Sequence, residues 1–138
     1  MKTHSKWQVG VAIPARNEES LLPRCLHSVH QAKAALRGLA SVDIVVVADA
    51  STDGTMDIAT AMLQGSGRAV CIDTGIVGAA RATAARLLIE RSRCYLSRHW
   101  IANTDADCVV PHDWLVNQLA LAEAGIEAVA GIVSVDTF

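Results

Sequence analysis

Residues 100–115 read Trp100-Ile-Ala-Asn-Thr-Asp-Ala-Asp-Cys-Val-Val-Pro-His-Asp-Trp-Leu115, and this segment predicts a strand, an acidic turn and the start of a helix. Asp105 and Asp107 follow the apolar strand one residue apart, where their carboxylates are placed to hold a hard divalent cation through oxygen. Pro111 suits the first turn of a helix, because the N–H it lacks is not needed there. An Asp-x-Asp turn is also common in solvent-exposed loops, so the other segments must decide between the two interpretations.

The rest of the chain alternates predicted strands and helices. Apolar runs typical of strands buried on both faces are found at residues 9–13, 43–48, 69–72 and 128–133. Segments with apolar residues at helical spacing separate them; Asn17 is predicted to cap the first helix, and Gly75 and Gly78 to open the third. The order β-α-β-α-β-α-β-α-β predicts a Rossmann-like, three-layer α/β/α domain with a mainly parallel sheet.

Composition narrows the function classes. A chain of 138 residues with 51% hydrophobic residues predicts one folded domain or part of one. Its net charge of −2 offers no basic field, which argues against nucleic acid as a partner. No cysteine pair has the spacing of a zinc site, and Cys25 and Cys71 are predicted to be buried thiols. The sequence has no signal peptide and no apolar run of transmembrane length, so a cytoplasmic setting is predicted.

Charged residues gather where the predicted strands end. Ligands of open α/β sheets bind beyond these carboxyl ends. Carboxylates crowded at one edge repel one another unless a divalent cation neutralises them, and arginine adds a forked donor that suits phosphate. The residues expected at this edge are Arg16, Glu18, Asp49, Ser51, Asp53, Arg81, Asp105 and Asp107.

Four segments, in this order, resemble the family-2 glycosyltransferases of the GT-A fold: residues 11–19, 44–55, 78–81 and 103–107. The resemblance implies that a nucleotide-sugar donor binds at the carboxyl edge of the sheet. It gives Asp105 and Asp107 the task of positioning Mn²⁺ or Mg²⁺ on the diphosphate. The other implied donor contacts are Pro14, Ala15, Arg16 and Glu18 at the base and ribose, Asp49 as a hydrogen-bond acceptor for the base, and Arg81 at the diphosphate or base.

The resemblance also implies a reaction, in which the sugar passes from a nucleoside diphosphate to a hydroxyl of an acceptor whose identity the sequence does not give. The family's catalytic base lies after the Asp-x-Asp strand, so the base is expected beyond Phe138. Residues 1–138 are therefore expected to be the donor-binding part of a truncated domain without its acceptor half. His112 and Asp136 are candidates for the base by position alone. The chain departs from the family pattern at Ala48, Ala50, Arg16 and Ala82, which indicates a subgroup.

Other functions are weighed against this one. A non-catalytic nucleotide-binding module, or an inactive fragment, is the main alternative. A nucleotidyltransferase would need a Gly-rich, basic loop where residues 15–18 stand, and a dehydrogenase would need G-x-G-x-x-G after the first strand. The predicted strand at 128–133 leaves an apolar sheet edge, so self-association through residues 126–138 is expected.

Overall fold

The computed structural model of the protein describes residues 6–92 and 98–135. Within them lies one four-stranded sheet of order β3-β2-β1-β4 in which every pair is parallel. The predicted α/β class with a parallel sheet is confirmed. The strands are β1 (Trp7–Ala15), β2 (Ala40–Asp49), β3 (Gly67–Ile72) and β4 (His99–Asn103). The helices are α1 (Leu22–Ala35), α2 (Thr55–Met62), α3 (Val77–Glu90) and α4 (Trp114–Glu123).

The sheet is covered on both faces because its inner strands are apolar on both faces. On one face, Val9, Val11 and Ile13 of β1 belong to a core shared with α1, α2 and α4. On the other face, Ala12 of β1 packs in a smaller cluster with α3. Gly10 allows α3 to come close, since a Cβ there would lie 3.0 Å from the Leu88 side chain. These contacts form the three predicted layers.

The strand register brings the carboxyl ends of the strands to one edge. Ala15 of β1 lies opposite Ala48 of β2, and Asp49 lies opposite Ile72 of β3. On the other side, Asn103 of β4 lies opposite Ala12. The loops that follow the four strands therefore meet around the carboxyl end of β1.

Two helix starts differ from their predictions. The prediction that Asn17 caps α1 is wrong: α1 begins at Leu22, with Leu21 at the N-cap position and no side-chain cap. Asn17 has a φ of 52°, and its side-chain oxygen accepts a hydrogen bond from the Thr52 backbone instead. Pro111 precedes α4, which begins at Trp114, and its carbonyl accepts a hydrogen bond from the Trp114 N–H. Pro111 therefore lies in the turn before α4 and not in the first turn of the helix.

The predicted fifth strand is wrong for the residues that the structure describes. Residues 126–135 are exposed and form no strand. A strand needs a neighbour for its backbone hydrogen bonds, and β4 pairs within the described ranges with β1 alone. Cys71 is also exposed, contrary to its prediction as a buried thiol, because it lies near the end of the edge strand β3. Cys25 is buried as predicted.

None of the helices in the described part of the chain combines the length and apolar character that crossing a bilayer requires.

Candidate functional site

A cleft of about 360 Å³ opens at the carboxyl edge of the sheet, between the loops after β1, β2 and β4 and the start of α3. All eight residues predicted from the sequence to contact donor or metal line this cleft. They are Pro14, Ala15, Arg16, Glu18, Asp49, Arg81, Asp105 and Asp107. Their roles stay predictions, but their convergence on one cavity follows from the strand register described above.

The acidic turn after β4 offers a group of ligand atoms for a cation. One ligand atom from each of Asp105, Asp107 and Cys108 lies within 4.8 Å of the others. The two carboxylates fit a hard divalent cation, which prefers oxygen ligands. Cys108 was not predicted as part of the site, although its place directly after Asp107 was visible in the sequence. Its thiol lies 3.6 Å from the Asp107 carboxylate.

Two side chains of helix α1 hold the backbone of this turn through hydrogen bonds. The buried Ser28 hydroxyl accepts a hydrogen bond of 3.0 Å from the Val110 N–H. The Cys25 thiol donates to the Asp105 carbonyl at 3.5 Å. Burial raises the pKa of Cys25 to about 12, so the thiol keeps the proton that it donates. The turn is thus held by its main chain, and these contacts leave the side chains of Asp105 and Asp107 free to line the cleft.

Negative charge dominates one side of the cleft. Burial raises the pKa of Glu18, and the nearby charges of Asp107 and Asp53 raise it further. Burial also raises the pKa of Cys108, with the Asp107 charge as the next cause. Burial is the larger cause of both pKa shifts, and the neighbouring carboxylates add a smaller contribution that disfavours further negative charge. A bound cation is the simplest way to neutralise such carboxylates.

Arg81 faces this acidic side from the first turns of α3. Its Nη2 donates to Asp105 Oδ1 at 2.6 Å, and both side chains are nearly half exposed. Ala80 and Ala84 beside it are buried against the sheet, which fixes the helix while the Arg81 side chain crosses to the acidic turn. Arg81, which is predicted to contact the diphosphate or the base, thus contacts one of the predicted metal ligands in this structure.

The Asp49 carboxylate accepts hydrogen bonds from the loop that leads into α3. Its Oδ1 accepts hydrogen bonds from the backbone N–H groups of Thr74 (2.7 Å) and Gly75 (3.0 Å). Its Oδ2 accepts from the Thr74 hydroxyl (2.6 Å) and the Ile76 N–H (3.2 Å). The Thr74 hydroxyl is the main cause that lowers the pKa of Asp49. Four donors fill the capacity of one carboxylate, so a hydrogen bond from a base would have to displace one of them.

The loops after β1 and β2 are locked together by side-chain to backbone hydrogen bonds. The Asn17 side-chain oxygen accepts from the Thr52 N–H at 2.7 Å. The Glu19 carboxylate accepts from the Gly54 N–H at 2.9 Å, and the Glu19 N–H donates to Asp53 at 3.2 Å. We call these contacts the loop latch, and they fix the segment that carries Arg16 and Glu18 into the cleft.

Several residues expected at the edge take other positions. The Ser51 hydroxyl and the Asp53 carboxylate accept hydrogen bonds from residues 17 and 19, so they serve the loop latch and do not line the cleft. Gly78 is exposed, and a Cβ there would meet nothing within 4 Å. His112 lies exposed in the turn before α4, away from the cleft lining. Asp136 lies outside the described residues.

Comparisons with solved structures show the fold. S. aureus TarS matches in two structures: TarS 1-349, with a TM-score of 0.64 at 18% identity, and TarS, with 0.65 at 19%. Glucosyl-3-phosphoglycerate synthase from Mycobacterium tuberculosis, solved in complex with uridine diphosphate, matches with a TM-score of 0.51 at 24% identity.

These matches cover most of this chain and the smaller part of the other proteins. They include 85%, 85% and 83% of this chain, but only 32%, 20% and 39% of the respective solved chains. The chain thus spans less than half the length of each of these structures. No curated protein matches it. The family model described as "Glycosyl transferase family 2" matches residues 10–137. The match extends over nearly the whole sequence, and the chain therefore belongs to glycosyl transferase family 2.

Proposed function

We propose that this chain binds the donor of a family-2 glycosyltransferase: a sugar carried by uridine or guanosine diphosphate. The carrying observation is the cleft itself, where all eight donor and metal residues predicted from the sequence meet in a chain that belongs to this family. A structural relative with bound uridine diphosphate supports the same class of ligand. The full reaction proposed is transfer of the sugar to a hydroxyl of an acceptor.

Each side of the cleft has a task in this proposal. Asp105 and Asp107 hold Mn²⁺ or Mg²⁺, which supplies neutralisation of the charge that builds up on the departing diphosphate. Pro14 and Ala15 at the end of β1 form the floor beneath the base and ribose. Arg16 offers a guanidinium plane that can stack on the base, at a position where the family often has an aromatic residue.

Asp49 and Glu18 complete the donor site from the walls. The Asp49 carboxylate keeps the loop of Thr74–Ile76 in place beside the base, and a base N–H that binds it replaces one of the four present donors. Glu18 borders the ribose, where hydroxyl groups can donate to its carboxylate. The catalytic base that accepts the acceptor's proton is not among the residues assigned here, and the cytoplasmic location stays a prediction.

Isothermal titration calorimetry of the chain with UDP and with GDP tests the proposal. With Mn²⁺ present we expect binding of at least one nucleotide, and with EDTA we expect its affinity to fall by about tenfold or more, because the carboxylates then repel the diphosphate. Equal affinity with and without Mn²⁺ would contradict the metal assignment of Asp105 and Asp107. No binding of either nucleotide would contradict the donor class.

Two variants locate the metal effect. Asp107→Asn keeps the size of the side chain but removes its charge, so we expect it to reduce nucleotide affinity in Mn²⁺ about as much as EDTA does. Asp57→Asn on the exposed side of α2 is the matched control and should bind like the wild-type chain. Both residues are exposed, so each change should alter the free energy of unfolding by about 0.5 kcal/mol or less. A large fall in Tm for Asp107→Asn with unchanged affinity would assign Asp107 a structural role.

A further inference from the structure

We propose that Arg81 is an exchangeable partner of Asp105. Arg81 forms an ion pair with this carboxylate, and it moves to the phosphates of a nucleoside diphosphate when a divalent cation takes its place. The inference rests on the proposed function and adds to it an antagonism: Arg81 opposes the binding of the cation alone and favours the binding of the cation together with the diphosphate.

Arg81 and Asp105 are in direct contact. Arg81 Nη2 and Asp105 Oδ1 are 2.6 Å apart, although one residue belongs to α3 and the other to the loop after β4. Asp105 is at the same time one of three residues whose ligand atoms lie within 4.8 Å of one another. The guanidinium therefore occupies an oxygen of the same carboxylate that the cation needs. The guanidinium is itself a cation, so it competes with a metal ion for this carboxylate.

Only the two side chains have to move in this exchange. The backbone of the acidic turn is held by the Cys25 thiol and by the hydrogen bond from the Cys108 N–H to the Asp105 carbonyl, at 3.1 Å. Helix α3 is held by the burial of Ala80 and Ala84. The side chains of Arg81 and Asp105 are 46% and 48% exposed, and ion pairs as exposed as this one are weak and easily exchanged.

The exchange changes the charges that surround Arg81. A cation on Asp105 and Asp107 would leave Arg81 beside a like charge, which raises the free energy of the state with cation alone. A diphosphate that enters the cleft carries enough negative charge to bind both the cation and the freed guanidinium, and arginine matches phosphate with two parallel hydrogen bonds. The two ligands are then coupled through Arg81, and this coupling must be reciprocal.

The test measures Mn²⁺ binding without nucleotide, by electron paramagnetic resonance of the free ion, in wild type and Arg81→Met. We expect Arg81→Met to bind Mn²⁺ alone about two- to fivefold more tightly, since a weak competing ion pair is removed. We expect the same variant to bind UDP in saturating Mn²⁺ about tenfold or more weakly, since it lacks the phosphate donor. GDP replaces UDP in this arm if the wild-type chain prefers it.

Arg86→Met is the matched control, because Arg86 lies on the same helix, is exposed, and pairs with Glu90 outside the cleft lining. It removes the same charge and should leave both affinities within about twofold of wild type, as expected for an exposed charge distant from the ligand. Arg81→Lys keeps a competing cation without the fork, so it should bind Mn²⁺ like wild type and UDP more weakly.

The outcomes separate this inference from the function on which it rests. Wild-type binding of Mn²⁺ and UDP, combined with unchanged or weaker Mn²⁺ binding by Arg81→Met, would overturn the exchange and leave the proposed function intact. Wild type that binds UDP without any need for Mn²⁺ would overturn both the exchange and the metal assignment. Equal tightening of Mn²⁺ by Arg81→Met and Arg86→Met would also overturn it, because the effect would then be one of net charge alone.

Discussion

At the scale of single residues, Asp49 performs a structural task at a position that the sequence predicts to contact the base. It is 4% exposed, yet it lines the cleft, and four hydrogen bonds tie it to the segment Thr74–Ile76. Its sequence position predicted only a contact with the base. The loop contacts could not be predicted, because Thr74 lies 25 positions away and nothing in the sequence relates the two.

The lowered pKa of Asp49 leads to a prediction about pH. The hydrogen bonds from residues 74–76 favour the charged carboxylate, so its folded-state pKa lies below the ordinary value of 3.8. The stabilisation is then complete above the unfolded pKa and is lost as the pH falls through the folded-state pKa. We expect the Tm of wild type to fall more steeply than that of Asp49→Asn below about pH 4. Circular dichroism melts at a series of pH values measure this, with Asp57→Asn as control; parallel curves for wild type and Asp49→Asn would contradict it.

At the scale of elements, strand β3 depends on a glycine at its start. A Cβ on Gly67 would lie 1.9 Å from the backbone oxygen of Ile44, in the neighbouring strand β2. Backbone in a paired strand cannot move aside without breaking the ladder. Gly67 therefore sets how closely β3 approaches the sheet. Gly65, two residues earlier, lies in the turn between α2 and β3.

Substitution of these two glycines separates crowding from backbone strain. We expect Gly67→Ala to lower the free energy of unfolding by about 3 kcal/mol, at the upper end of overpacking effects. Gly65 has a φ of 78° with open space around it, so Gly65→Ala should cost about 1 kcal/mol from strain alone. Chemical denaturation of both variants measures the difference. A smaller loss for Gly67→Ala than for Gly65→Ala would show that β3 can shift without penalty.

The elements show what hydrophobic periodicity can and cannot predict. The four strands of the sheet and the presence of helices between them were predicted correctly, because burial on one face of a sheet or helix determines the spacing of apolar residues. The spacing of apolar residues did not predict the loop latch, and it wrongly predicted a strand at 128–133. By residue type, Asn17 suits a helix cap as well as a contact between loops. Residues 128–133 are apolar enough for a strand, but they pair with no strand among the residues that the structure describes.

For the whole molecule, the exposed apolar segment after α4 bears on the predicted self-association. Ile132 is 98% exposed and Val133 is 73% exposed, and the described part of the sheet offers β4 one partner strand. We expect the apparent mass of the chain to rise with concentration, because contact between copies buries these side chains. Light scattering at several concentrations measures this.

A pair of variants tests the location of that contact. Replacing Ile132 and Val133 by Asp should keep the chain monomeric at concentrations where wild type associates. Leu39→Asp is the control, since Leu39 is 70% exposed in the connection between α1 and β2, far along the chain from this segment. Equal loss of association in both variants would assign the effect to added charge. A wild-type chain that stays monomeric would contradict the prediction itself.

The sheet order has a consequence for the time course of folding. Strand β1 pairs on one side with β2, which follows after a single helix, and on the other with β4, which is about 90 residues away in sequence. Closing the longer loop costs more chain entropy, so pairing of β4 should form last and open first. In native-state hydrogen exchange we expect the amides of residues 100–103 to exchange faster than those of 44–48. The acidic turn with Asp105 and Asp107 directly follows β4. The cleft should therefore form only after the other three strands have paired.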